Sequence, residues 1–218
     1  MSDFDRFVRL LGLTDGRDKI YKLLSGVLNV LDGIDAVESH RVAYNSVNKS
    51  IKDGRSLLRM AKWTGNVPKM HSIVLRCAEK RSVELKKLIE FLRLLGDFLY
   101  VLGDNIGFLV RFKLLPGEAK LIQNRSKVAQ FWGFFFAAVL DLLALHSALL
   151  RRASDAATSR KEVKSALISL TKDGSDVLVT MASVGYMKSV WHPSPVTSGA
   201  LTAVSGAVAT YLNWNKVK

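Results

Sequence analysis

The sequence predicts an all-α, membrane-associated helical bundle with amphipathic N-terminal helices and about two transmembrane helices. Three observations carry this. Only four prolines, Pro68, Pro116, Pro193 and Pro195, interrupt 218 residues, and between them apolar side chains recur at helical spacing with almost no strand alternation. Hydrophobic residues make up 49% of the chain while its formal net charge is +13, a pairing that suits an anionic membrane surface better than a soluble nucleic-acid binder. Two late segments have the length and apolarity that a bilayer requires. The chain accordingly divides into an amphipathic, membrane-associating region, residues 1–127, and a membrane-embedded region, 128–218.

The elements follow in order. Ser2 and Asp5 mark a helix start, and Phe4, Phe7, Val8 and Leu11 form its stripe through residue 12. Thr14-Asp15-Gly16 reads as a turn. A second helix carries Ile20, Leu23, Leu24, Val27, Leu28 and Leu31 on one face, which core packing alone explains. The stretch from Ala43 to Trp63 is more informative. Val47, Ile51, Leu57, Leu58 and Ala61 share one arc of the wheel, while Lys52, Arg55, Arg59 and Lys62 fall on the neighbouring arc. An apolar stripe beside a basic one suits a helix lying in a membrane interface, cations on headgroups. The same spacing fits the solvated face of an ordinary bundle helix. Residues 73–102 form a further amphipathic stretch. In its continuation, Phe98–Leu115, a lipid-exposed span is argued against by Asp97, Asp104, Arg111 and Lys113.

The two spanning candidates are 131–150 and 196–214. The first, FWGFFFAAVLDLLALHSALL, has one formal charge, Asp141, and ends at Arg151-Arg152. A mid-membrane carboxylate must be paired, protonated or turned to a polar interior. The alternative is a buried soluble helix. The second, VTSGALTAVSGAVATYLNW, is uncharged and closes on Tyr211 and Trp214. Its ordered small residues, Gly199, Ala203, Gly206 and Ala207 among them, are of the kind that lets helices approach closely in lipid, so they are the expected self-association ridge. Asp97, Asp104 and Asp141 are the candidate pore-lining or intramembrane polar residues.

Catalytic and cofactor chemistry is not expected. The four histidines, His40, His71, His146 and His192, lie far apart without metal-ligand spacing, and no Walker loop or nucleophile elbow occurs. The single cysteine, Cys77, implies no internal disulfide. The terminal Lys216-Val217-Lys218 is not the Ser-Lys-Leu peroxisomal matrix address.

Several segments, taken in order, resemble the peroxisomal biogenesis factor 11 family, the peroxin-11 proteins. Phe7-Val8-Arg9 followed by Thr14-Asp15-Gly16-Arg17-Asp18-Lys19 resembles the family's opening. Ser56-Leu57-Leu58-Arg59-Met60-Ala61-Lys62 resembles its basic helix, and Asp104-Asn105-Ile106-Gly107-Phe108-Leu109 its Asp-Asn block. Lys172-Asp173-Gly174-Ser175-Asp176-Val177-Leu178 and the small-residue end, Gly199 to Trp214, resemble its C-terminal signature. Two departures, Leu24-Ser25-Gly26 in place of Gln-Tyr and alanines in place of C-terminal glycines, suggest a divergent branch such as the kinetoplastid glycosomal membrane proteins.

The resemblance implies a non-enzymatic protein of the peroxisomal or glycosomal membrane that promotes elongation, proliferation and division. It implies an amphipathic helix in one leaflet, homo-oligomers and recruitment of fission machinery; a pore for small metabolites is the alternative. Combined with the helical wheel, it nominates Lys52, Arg55, Arg59 and Lys62 to dock on anionic membrane lipid while Ile51, Leu57 and Leu58 wedge between acyl chains. Nucleic acid is not an expected partner.

Overall fold

The computed structural model describes residues 2–80 and 82–217. Eight α-helices form among them: α1 Asp3–Gly12, α2 Thr14–Ile34, α3 Glu38–Leu58, α4 Val67–Lys80, α5 Leu85–Arg111, α6 Ala119–Leu150, α7 Ala156–Val184 and α8 Pro195–Trp214. No strand occurs among the described residues. The helices fall into two compact units, residues 1–60 with 181–218, and residues 61–180. The boundary drawn from sequence at 127/128 sorts stretches by how they meet a membrane; the units group helices by packing, and α7 contributes to both.

The first unit is organised around α2. On one side α8 lies antiparallel to it along a seam of missing side chains. A Cβ on Gly26 would collide with the backbone of Ala203, one on Gly199 would lie 2.8 Å from the Val30 nitrogen, and one on Gly206 would lie 2.7 Å from the Leu23 Cα. Polar bonds run beside the seam, Lys22 Nζ to Ser205 Oγ at 2.7 Å and Asn213 Nδ2 to Asp15 Oδ2 at 2.9 Å. Helix α1 begins with the expected capping box between Ser2 and Asp5. Its Arg6 ties it to the end of α8, donating to the carbonyls of Val217 and Trp214 at 3.2 Å each. The expected turn at 14–16 is instead the first turn of α2. Leu13 alone breaks the chain, and Gly16 lies so close under the Leu10 carbonyl that a side chain has no room.

The second unit centres on an antiparallel α5–α6 hairpin of the same construction. A Cβ on Gly96 would lie 2.6 Å from the Gly133 nitrogen, and one on Gly103 would lie 2.7 Å from the Ser126 Cβ. Helix α6 is the one helix among the described residues long and apolar enough to cross a membrane, and only 17% of its apolar window is buried. A core helix of a soluble protein would be mostly covered. The expected second span, 196–214, does not meet that measure. The Ser, Thr, Gly and Asn residues of α8 dilute its apolarity, and its small-residue face is taken up by α2.

Interior and exterior depart from the pattern of a water-soluble bundle. Buried positions include Asp18, Ser25, Asn48, Asn105, Asp173, Asp176, Ser205 and Asn213, while Phe4, Ile34, Val42, Leu57, Leu142 and Leu150 stand exposed. Leu10, Leu94, Phe108 and Phe131 are buried as well, but large apolar groups outside together with polar groups inside suit a lipid surrounding, where close helix packing and internal hydrogen bonds hold helices together.

The seams lead to a direct expectation. Gly26→Leu and Gly199→Leu force backbone apart and should each destabilise the first unit by about 3 kcal/mol, the upper end for overpacking. Gly12→Leu, where nothing lies within 4 Å of an added Cβ, should have little effect. Thermal melting in detergent followed by circular dichroism checks all three.

Candidate membrane-contact site

The helical hairpin of α2 and α3 holds the residues nominated from the sequence. Asp18, Ser25, Asn29 and Asp32 recur along one face of α2 at spacings of seven, four and three, and Asp35 follows at its end. Each meets a polar group on α3. Asn45 Nδ2 donates to Asp32 Oδ1 at 2.8 Å, and Tyr44 Oη to Asp35 Oδ2 at 3.1 Å. Ser25 Oγ donates to Asn48 Oδ1 at 2.6 Å, and Asn48 Nδ2 donates onward to Asn29 Oδ1 at 2.6 Å. At the far end Arg55 Nε donates to Asp18 Oδ1 at 3.0 Å, with Arg59 Nε at 3.8 Å and Lys19 Nζ at 3.1 Å from the other oxygen.

Asp18 is the electrostatic centre. Its side chain is 3% exposed. Burial pushes its carboxyl up, but the charges of Arg55, Lys19 and Arg59 together outweigh burial and hold it well below the usual carboxylate range.

This arrangement changes the roles assigned from the wheel. Arg55 and Arg59 were expected to dock on headgroups; their side chains are 17% and 11% exposed and turned to Asp18. Their cationic arc is the inner face of the hairpin because the buried carboxylate needs it. Lys52 is exposed on α3. Lys62 was expected on the same helix, but α3 ends at Leu58 and Lys62 opens a separate 3₁₀ segment, Lys62–Asn66, in the second unit. The break is at Ala61, which adopts φ 58° and gives its N–H to Asn105 Oδ1 at 3.0 Å. Of the wedge residues, Leu57 is 55% exposed, while Ile51 and Leu58 are half-buried. Val42 at 60% and Val47 at 51% join Leu57 on the outward side, and the sequence reading missed Val42 because it began the helix too late. Ser46, Lys49, Ser50 and Asp53 share that side, so the outward arc is mixed, with three large apolar side chains set among polar ones.

The remaining nominated residues do not gather into one site. Gly199, Ala203 and Gly206 line the seam with α2 of the same chain, so the ridge expected to join two copies is filled internally; Ala207 faces outward. Asp97 is exposed on α5 and accepts from Asn66 Nδ2 at 2.7 Å, which helps hold the 3₁₀ segment against α5. Asp104 is half-buried a further seven residues along. Asp141 on α6 has Asp173 and Lys172 of α7 and Arg93 of α5 as its electrostatic neighbours. The pairing of Gly96 with Gly133 sets Asp141 opposite residue 88 of α5. The three carboxylates therefore spread over about 24 Å of hairpin at 1.5 Å per residue. Among the described residues no cluster of three or more His, Cys, Asp or Glu side chains is arranged to hold a metal.

Removing the Asp18 carboxylate leaves two guanidinium groups uncompensated, so Asp18→Ala should cost about 3–5 kcal/mol. Because the folded carboxyl titrates below its ordinary value near pH 4, its contribution is complete above that pH. It fades as pH falls toward the folded value. Wild type and Asp18→Asn should differ at neutral pH and converge in strong acid, as pH-dependent melting reads directly.

No curated protein matches the chain, and no solved structure does. The family model for peroxisomal biogenesis factor 11 (PEX11) matches residues 4–214, nearly the whole chain. That family acts in peroxisome proliferation and division, is associated with the peroxisomal membrane, and is a group of biogenesis factors and not a known enzyme family. The helical architecture, the lipid-suited exterior and this match agree, and the chain belongs to the peroxisomal biogenesis factor 11 family.

Proposed function

We propose that the chain elongates the peroxisomal membrane by laying the outward arc of α3 into one leaflet. The observation that carries this is the inverted hairpin: α3 spends its polar side chains on α2 and presents Val42, Val47 and Leu57 outward. A helix so arranged has no apolar partner on that side within its hairpin, and lipid supplies one. Shallow insertion at the boundary of headgroups and acyl chains expands one leaflet and favours curvature. Lys52 on α3 meets anionic headgroups, adding about 1 kcal/mol near the surface. Arg55 and Arg59 act at one remove by fixing which face of α3 turns out. Helix α6 anchors the protein, and α8 lies in the membrane beside α2, giving a multi-pass arrangement. The divergent residues Leu24-Ser25-Gly26 support placement in a glycosomal branch.

Self-association adds weak wedges into a coat and offers a platform for fission machinery. With the Gly199 ridge filled, the outward face of α8, with Ala200, Val204, Ala207 and Tyr211, is the surface assigned to it. Ala207→Cys in a Cys77→Ser background should cross-link between copies in membranes; absence of any dimer would remove α8 from the interface.

A metabolite pore is the second reading, favoured by the buried Asp173 of the second unit, an electrostatic neighbour of Asp141. Conductance in planar bilayers that disappears with Asp141→Asn would support it.

The wedge has its own test in anionic giant vesicles and in cells. Val47→Asp with Leu57→Asp should leave the protein membrane-bound through α6 yet reduce tubule formation by about tenfold or more. Undiminished tubulation by that variant would remove α3 from the mechanism.

A further inference from the structure

At the turn from α6 to α7 a groove of about 410 Å³ opens, with almost entirely apolar walls that include Leu149, Val163 and Leu167. That volume is within the ~300–1,000 Å³ of ordinary ligand sites. Arg152, Arg160 and Lys164 border it. Arg160, Val163, Lys164 and Leu167 are spaced i, i+3, i+4 and i+7, so they share one face of α7. The turn is held by Ser159, fully buried, whose Oγ donates to the Ala148 carbonyl at 2.7 Å.

Charge distinguishes this groove from a packing gap. The nearby carboxylates are engaged elsewhere: Glu162 bonds Arg151 at 2.6 Å, and Asp155 accepts the Thr158 N–H at 3.0 Å. Arg152, Arg160 and Lys164 are exposed and form no ion pair among the described residues. Position adds a second argument. Leu149 and Leu150 end the apolar run that makes α6 a candidate span, and they are 49% and 70% exposed. With α6 taken as the membrane anchor of the proposed function, on which this site rests, the groove lies at the end of the α6 apolar run and its apolar walls are interleaved with three cations.

We propose that this groove binds one anionic phospholipid, its phosphate between Arg152, Arg160 and Lys164 and an acyl chain against Leu149, Val163 and Leu167. Basic pockets at the membrane boundary of spanning helices recognise anionic headgroups in this way. The site is distinct from the α3 wedge, because it holds a single lipid at fixed stoichiometry and does not partition into a surface.

The full chain in phosphatidylcholine nanodiscs containing a few per cent phosphatidic acid, analysed by native mass spectrometry, tests this. One phosphatidic acid should remain bound per chain. Arg152→Ala with Arg160→Ala and Lys164→Ala should weaken retention roughly a hundredfold. Lys49→Ala with Lys120→Ala and Lys127→Ala, which removes equal charge elsewhere, should not. Leu167→Glu, which keeps the cations, should also release the lipid, with circular dichroism confirming unchanged helix content. Equal loss in both triple variants would reduce the effect to net charge and overturn the site. Displacement by glycerol phosphate together with retention in Leu167→Glu would make it a headgroup or free-phosphate site and overturn the lipid assignment. Wild-type chain that keeps no phosphatidic acid, or that fills the groove by dimerising, would overturn it outright.

Discussion

Asp18 lies almost wholly out of solvent on α2, and a buried carboxylate stays charged only where cations surround it. Arg55, Arg59 and Lys19 supply them. That single requirement decides the rotation of α3. Once its guanidinium groups turn in, the other polar residues of the same arc, Asn45 and Asn48, fall opposite Asp32, Ser25 and Asn29. Val42, Val47 and Leu57 are left outside. Here the polar interface makes the hairpin specific and the apolar exterior makes it suited to a membrane.

The rest of the first unit depends on the opposite kind of contact. Where α2 meets α8, side chains are absent, and Gly26, Gly199 and Gly206 let the two backbones touch. One helix thus carries two different interfaces, charged and hydrogen-bonded toward α3, steric toward α8. Helices α5 and α6 repeat the steric form through Gly96, Gly133 and Gly103. Close approach of this kind holds helices together through dispersion, joined in α5 and α6 by buried Leu94, Val101, Phe108 and Phe131. That leaves Leu142, Leu150 and Ile34 available on the outside.

Much of this was legible in the sequence. Helical periodicity and scarce proline indicated an all-α chain, the Ser2–Asp5 pair marked the first helix, and motifs in order indicated the family. What the sequence obscured were orientations. Periodicity grouped Arg55 and Arg59 with Lys52 on one arc, but not which way the arc faced, because their shared partner Asp18 is 37 residues from Arg55 and lies on another helix. Small residues in α8 signalled close packing without naming the partner, which is α2 rather than another copy. The break before Lys62 rests on an Asn105 side chain from a distant helix, and no local signal at Ala61 announces it. Leu24-Ser25-Gly26, which looked like a simple departure from the family pattern, is where α2 touches both neighbours: Ser25 bonds Asn48 and Gly26 admits α8.

The most direct measurement is the depth of α3 itself. Spin labels on Val47→Cys, Leu57→Cys and Ser56→Cys, in a Cys77→Ser background within anionic vesicles, report accessibility to oxygen in lipid and to a nickel chelate in water. High oxygen and low nickel access at 47 and 57, with low access to both at 56, is the result expected of a helix whose apolar arc faces lipid and whose polar face is covered by α2. Nickel access at 47 and 57 equal to that of a water-exposed site would contradict it.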